Sequence, residues 1–279
     1  RGEILQGIAE LEYFAGAATK IQGATNATPP GYLNYTLREP LGVCGLIVPW
    51  NYPAQMAAWK LGPALATGNS VVIKPAAQTS LSLLRIVELA AGAGLPPGVL
   101  NVVTGPGEVV GRAIARHPDI DVVAFTGSTE VGRTFLHHAA ETNLKRVVLE
   151  LGGKSPQVVM SDARDLGRVA ERAASAIFWN MGENCSAGSR LIVHRDLREE
   201  LVERLVALTA DWIVGDPLDD ATRVGPLITE AHLRRVLSYI DAGVAEGARI
   251  AVGGTRVLEE SGGHFLAPTI FDGARNDMR

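Results

Sequence analysis

The chain of 279 residues is 47% hydrophobic and 20% charged, and its 26 Lys and Arg against 30 Asp and Glu leave a net charge of −4. That balance fits a globular protein with core enough for roughly two domains; it offers no basic footprint for nucleic acid, and no apolar run approaches the roughly 20 residues of a membrane span. Its two cysteines, Cys44 and Cys185, allow at most one disulfide and no zinc site of their own, so a reducing, cytoplasmic setting is expected. The start at Arg1, with no charged-then-apolar leader, reads as a fragment of a longer protein.

Along the chain, the segment 24–40 comes first: its Pro-Pro-Gly and the alternation of Tyr32, Asn34 and Thr36 predict a protruding hairpin and an oligomer contact. Short runs rich in β-branched residues then predict strands at 43–48, 70–74, 100–103, 122–125, 146–150, 157–160 and 190–194. Helices are predicted over 79–91, 107–116, 129–141, 165–180, 196–212 and 229–246. In 165–180, Leu166, Val169, Ala170, Ala173, Ala174, Ile177 and Phe178 follow the spacing of one helix face. Thr79 is placed to cap the first of these helices, with Gly92, Gly94 and Pro96 ending it. Near-continuous apolar strands alternating with helices predict an α/β fold with mostly parallel sheets. The glycine pair in LELGGKSP (149–156) marks a seam between two domains.

In parallel sheets, ligands collect at the carboxyl ends of the strands. Those ends carry Pro49, Trp50 and Asn51 after 43–48, Lys74 closing 70–74, TGPGEVVG after 100–103, TGSTEVG after 122–125, and Glu150 closing 146–150. GPGEVVG (105–111) reads G-x-G-x-x-x-G, and no acidic residue follows it at the distance a dinucleotide fingerprint requires. TGSTEVG (126–132) is the better anion site, because Gly127 allows close approach and Ser128 and the first helical N–H groups would face a phosphate along the helix dipole. Taken singly, each turn reads equally well as an ordinary loop.

Cys44, inside LGVCGLIVPW, has the surroundings of a small buried hydrophobe, the usual fate of a free cysteine. Cys185 instead follows a long amphipathic helix, among Gly182, Asn184, Ser186, Ala187 and Gly188, where a thiol stays open to attack an electrophilic carbon. The resulting oxyanion would take the Cys185 N–H and the Asn51 amide as donors, and Glu150 would act as general base toward water. A Cys–His hydrolase using Cys185 and His194 is an alternative, but it wants a third, orienting group and leaves both glycine turns unexplained. His137 and His138 are adjacent on a helix and do not converge on a metal.

PWNYP, WKLGPALATGNSVVIKPA, GLPPGVLNVVTG, FTGSTEVGR, LELGGKSP and GENCSAGSR, in this order, resemble the aldehyde dehydrogenase superfamily over essentially the whole chain. The resemblance implies a cofactor domain over 1–150, an incomplete catalytic domain over 151–279 and a bridging hairpin at 24–40. It implies NAD or NADP as cofactor, an aldehyde as substrate and a homodimer or homotetramer as the assembly. Cys185 would form the thiohemiacetal and thioester, Glu150 would activate water, and Asn51 would complete the oxyanion hole. Lys74 would hold the adenosine ribose, Pro49 and Trp50 would line the cofactor cleft, and Gly107 and Gly111 would lie near the adenine. Gly127, Ser128, Thr129, Glu130, Val131 and Gly132 would serve the pyrophosphate side. Tyr52, Gln55, Met56, Trp59, Asn184 and Ser186 would line the aldehyde tunnel, a mixed aromatic and polar wall suited to amino-, betaine-like or simple aliphatic aldehydes. Ala77 stands where the family very often has a ribose-binding glutamate, which predicts tolerance of NADP. The chain stops at ARNDMR, short of the family's E-E-x-F-G-P segment, so the isolated chain is expected to lack part of the machinery. A non-catalytic, nucleotide-binding relative is disfavoured by the joint presence of Cys185, Glu150, Asn51 and Lys74. A relative that passes the acyl group to coenzyme A is disfavoured by Glu150.

Overall fold

The computed structural model describes residues 2–279, which divide into one unit ending at Leu151 and a second beginning at Gly152. In the first, α1 (Gly2–Ala17) lies on α2 (Pro53–Ala66) where side chains are small. A Cβ on Gly62 would stand 2.5 Å from the Phe14 ring, so glycine there permits the crossing. Tyr52, the cap residue of α2, makes no side-chain cap bond; Glu3 of α1 does the capping, its Oε1 accepting the Ala54 and Gln55 N–H groups at 2.6 and 3.1 Å.

Beneath them runs a parallel sheet of β3 (Val43–Ile47), β4 (Ser70–Lys74), β5 (Leu100–Val102), β6 (Val122–Gly127) and β7 (Arg146–Leu151), in the order β5-β4-β3-β6-β7. The short strands β1 (Thr25–Asn26) and β2 (Asn34–Tyr35) form the antiparallel hairpin apart from it. Continuous Val, Ile and Leu runs suit strands covered on both faces. Cys44, Leu46, Val48, Val71 and Ile73 pack with α2 and with Leu83 of α3 (Ser80–Gly92). On the other face Ile47, Val123 and Phe125 meet Ile114 of α4 (Arg112–Arg116) and Phe135 of α5 (Thr129–Ala140), the two phenyl rings stacking at 4.7 Å. Gly45 is required in β3 because a Cβ would sit 2.6 Å from Ile114.

The second unit pairs β8 (Pro156–Val159) with β9 (Arg190–Val193) in parallel, covered by α6 (Leu166–Phe178) and α7 (Arg198–Leu208). Ala170, Ala173, Ala174 and Phe178 of the predicted α6 face join Val159, Leu201 and Leu205 in the core. Asp165 caps α6, accepting the Arg168 N–H at 2.9 Å. Beyond them, α8 (Glu230–Ala245) precedes an antiparallel pair, β10 (Arg249–Val252) and β11 (Ile270–Asp272).

The α/β class with its parallel sheet is as the sequence predicts, and four local expectations are corrected. The 107–116 helix is a π-helical turn, Gly107–Gly111, running into α4. Thr79 precedes α3 without capping it, its hydroxyl being buried with no hydrogen-bond partner. The 165–180 helix ends at Phe178, because Asn180, Met181 and Gly182 turn left-handed at φ 51°, 57° and 73°. The 196–212 helix is α7 flanked by two 3₁₀ turns, Arg195–Leu197 and Thr209–Asp211. Among the described residues no helix is long and apolar enough to cross a membrane.

Candidate active site

In the first unit the chain builds β3, β4 and β5 outward, then returns to lay β6 on the other side of β3. The crevice at the carboxyl ends of β3 and β6 is therefore the switch point at which an open α/β sheet receives ligands. The register brings the predicted groups to this rim: Lys74 pairs with Ile47, two residues before Pro49, and Ile47 pairs with Phe125, two residues before Gly127. Pro49, Trp50 and Asn51 are half-buried in the turn that leads into α2. Lys74 is 5% exposed, its Nζ donating to the Pro75 carbonyl at 2.9 Å, and burial holds its pKa below the ordinary lysine value.

Gly127 ends β6 where a Cβ would stand 2.5 Å from the Phe125 ring, and Gly132 lets α5 close on β7, where a Cβ would meet Leu151 at 2.9 Å. Ser128 caps α5, its hydroxyl accepting the Val131 N–H at 3.3 Å. The bond uses a lone pair of the hydroxyl and leaves its O–H as a donor at the start of the helix. Thr129 and Glu130 occupy the first turn, where backbone N–H groups lack intrahelical acceptors. Gly107 opens the π-helical turn and is exposed, whereas Gly111 closes it and is buried.

Glu150 lies on the exposed face of β7 with Arg146 and Val148, while Val147, Leu149 and Leu151 pack inward. Two polar groups near it escape a sequence reading. The hydroxyl of Thr126, beside Glu150 in register, is buried with no hydrogen-bond partner. Lys60 is half-buried on α2; burial draws its pKa down to about 8, and the Glu150 charge opposes that shift. The other candidates on α2 differ in setting. Tyr52 is half-buried, Gln55 donates its side-chain amide to Glu10 at 3.1 Å, Met56 packs in the core with Cys44 and Leu46, and Trp59 is 49% exposed.

In the second unit Cys185 sits on the loop between α6 and β9 and is exposed, whereas Cys44 is 4% exposed in the first unit's core. Asn184 staples the loop: its Oδ1 accepts the Ser186 N–H at 3.3 Å and the Ser186 hydroxyl at 3.2 Å, and lies 3.7 Å from the Cys185 thiol. The Cys185 carbonyl runs close to Gly153, where a Cβ would stand 3.4 Å away. Gly188 lets Gln157 donate to its carbonyl at 2.8 Å, since a Cβ there would collide with the Gln157 amide. His194 follows β9 and is engaged locally, its Nδ1 accepting the Asp196 N–H at 3.4 Å and lying 3.6 Å from the Asp196 carboxylate. No cluster of metal-binding side chains occurs among the described residues.

The sequence model of the aldehyde dehydrogenase family matches residues 1–279. The chain belongs to the aldehyde dehydrogenase family. It is 50% identical over 269 residues to the aminoacetaldehyde dehydrogenase of Pseudomonas aeruginosa, the match covering 96% of this chain and 53% of that protein. It is 49% identical over 268 residues to the mitochondrial aldehyde dehydrogenase of Homo sapiens, covering 96% of this chain and 51% of that one. The fold matches an indole-3-acetaldehyde dehydrogenase in complex with NAD+ at a TM-score of 0.96 and 49% identity, over 98% of this chain and 55% of that one. An NAD+ complex of the aldehyde dehydrogenase from Bacillus cereus matches at a TM-score of 0.96 and 47% identity, over 99% and 55%. This aldehyde dehydrogenase chain spans about half the length of the curated relatives it matches.

Proposed function

We propose that the complete protein oxidises an aldehyde to its carboxylic acid with NAD+ or NADP+, with Cys185 as the nucleophile. The observation that carries this reading is the exposed Cys185 thiol on a glycine-flanked loop, in a chain of this family whose other cysteine is buried. The rim of the first unit fits a nicotinamide dinucleotide. Lys74 supplies a cation at a strand end, and the Thr126 hydroxyl is a buried polar group without a partner. Gly127 lets the chain turn closely past the Phe125 ring into α5, whose first N–H groups lack intrahelical acceptors and are left for a phosphate to use. Pro49 and Trp50 would line the cleft, Gly107 and Gly111 would border the adenine, and residues 127–132 would meet the pyrophosphate. Residues 1–150 are thereby read as the cofactor domain and 151–279 as part of the catalytic domain. The nicotinamide, when bound, takes the hydride that turns the cysteine adduct into a thioester.

The chain's own residues do the remaining work. The Cys185 thiolate adds to the aldehyde carbon, and the carbonyl oxygen becomes an oxyanion held by the Cys185 N–H and the Asn51 amide. Once the thioester stands, Glu150 takes a proton from water as its oxygen attacks the acyl carbon. The carbon–sulfur bond then breaks, and the thiolate and the acid are released. Tyr52, Gln55, Met56 and Trp59, with Asn184 and Ser186, are the proposed substrate wall. A small aminoaldehyde is the first substrate to try, because the aminoacetaldehyde dehydrogenase stands at 50% identity. Both cysteines are free, in keeping with a cytoplasmic setting, and the 24–40 hairpin is the proposed contact of a homodimer or homotetramer.

An aldehyde panel with NAD+ and NADP+, followed by the absorbance of the reduced nicotinamide, tests the reading. Activity should appear with the wild type and fall at least about 10⁴-fold in Cys185→Ser. Full activity in Cys185→Ser would sink it.

A further inference from the structure

We infer that buried Glu183 and half-buried His232 form a positioning pair that locks the Cys185 loop onto the start of α8. The inference rests on the nucleophilic role proposed for Cys185. After α6 the chain reverses through Asn180, Met181 and Gly182, all left-handed at φ 51°, 57° and 73°. A left-handed conformation is costly for a side chain such as Met181, so this stretch persists only where its surroundings hold it.

Glu183 is the next residue, and its side chain is 4% exposed. Its Oε1 accepts the Ile228 N–H at 3.2 Å and lies 3.4 Å from His232 Nε2. His232 is itself held in place, because the Thr229 hydroxyl accepts its N–H at 3.2 Å and so caps α8. The loop is thus tied to α8 by an acid two residues before the nucleophile, at a point where the helix end is itself fixed.

The chemistry of the pair follows from burial. Desolvation raises the Glu183 carboxyl to about 7, opposed by the Ile228 N–H. His232 is pushed the other way, first by burial and then by the Arg235 charge, which favours the neutral ring with Nε2–H donating to Glu183 Oε1. For a carboxyl raised in the folded state, the stabilising contribution is complete below the ordinary value of 4.5 and is lost as pH rises through about 7. Ionisation of Glu183 therefore changes the hold on the loop, the desolvated charge opposing it while the Ile228 N–H favours it. His232 shifts in the opposite direction, so the Glu183 variants isolate the carboxyl's part.

The test follows Cys185 directly, by peptide mass spectrometry of iodoacetamide labelling against pH and by hydrogen exchange of the peptide covering residues 179–188. The wild-type labelling profile should carry an inflection near pH 7. Glu183→Gln keeps an oxygen for the Ile228 N–H, so it should exchange like the wild type but lose that inflection. Glu183→Ala loses the acceptor, and its loop amides should exchange about tenfold faster. Should Glu183→Ala fail to fold, Glu183→Gln decides alone. A wild-type profile without the inflection, an inflection that survives in Glu183→Gln, or wild-type exchange in Glu183→Ala each overturns the pairing. None of these readouts uses aldehyde oxidation, so the nucleophile assignment, tested by Cys185→Ser activity, stands or falls separately.

Discussion

Lys60 is a cation on a largely apolar helix, and its electrostatics can be measured. Burial lowers its pKa to about 8 against the pull of Glu150. The native protein then releases a proton that the unfolded chain still holds, so stability rises as pH climbs from about 8 toward 10.5. Lys60→Met should melt above the wild type at neutral pH, and the gap should close as pH approaches 10.5; thermal melts across that range check it, and a constant gap would contradict it. Ala77 makes a second test. It is exposed in the 3₁₀ turn after Lys74, where no carboxylate repels a 2′-phosphate. The kcat/KM values for NAD and NADP should lie within about tenfold of each other, and strict NAD dependence would refute this. Cys185 was legible in the sequence because its small and polar neighbours are local. Lys60 and Thr126 were not, because what marks them, a strand-end carboxylate and an unpaired buried hydroxyl, depends on register between distant segments.

Among the elements, α5 joins the sheet to the proposed phosphate site, and its cap is a single side chain. Ser128→Ala should cost about 1 kcal/mol in a denaturant titration, because the Val131 N–H loses its acceptor. Nucleotide affinity should fall as well, because the remaining O–H stands at the proposed phosphate site; an unchanged affinity would remove the Ser128 hydroxyl from that site. Parallel strands were read well because buried Val, Ile and Leu runs carry their own signal. The first two helices were not among the predicted ones. In α2, Gly62 and Pro63 interrupt the helical signal, and buried residues such as Met56, Ala57, Ala58 and Leu61 leave little polar–apolar periodicity to detect. The ends of α6 and α4 were misjudged for a related reason. Left-handed Asn180 and Met181, and the π-helical turn at Gly107–Gly111, are backbone choices that composition does not announce.

For the whole molecule, the α/β class and the family were both legible, because strand spacing gave the first and six ordered motifs gave the second. The assembly is tested at the hairpin, where Tyr32 and Leu33 are both 76% exposed. Replacing Leu33 and Tyr35 by Asp should shift the complete protein to a smaller species in sizing with light scattering, and an unchanged mass would remove the hairpin from the interface. The central claim is that Cys185 carries the acyl group and Glu150 releases it. Glu150→Gln should slow release by about 10²- to 10⁴-fold and so trap the adduct. The decisive measurement is peptide mass spectrometry of that variant, quenched after mixing with aldehyde and NAD+. A burst of reduced nicotinamide stoichiometric with protein and an acyl mass on the Cys185 peptide are expected; steady acid formation with Cys185 unmodified would contradict these roles of Cys185 and Glu150.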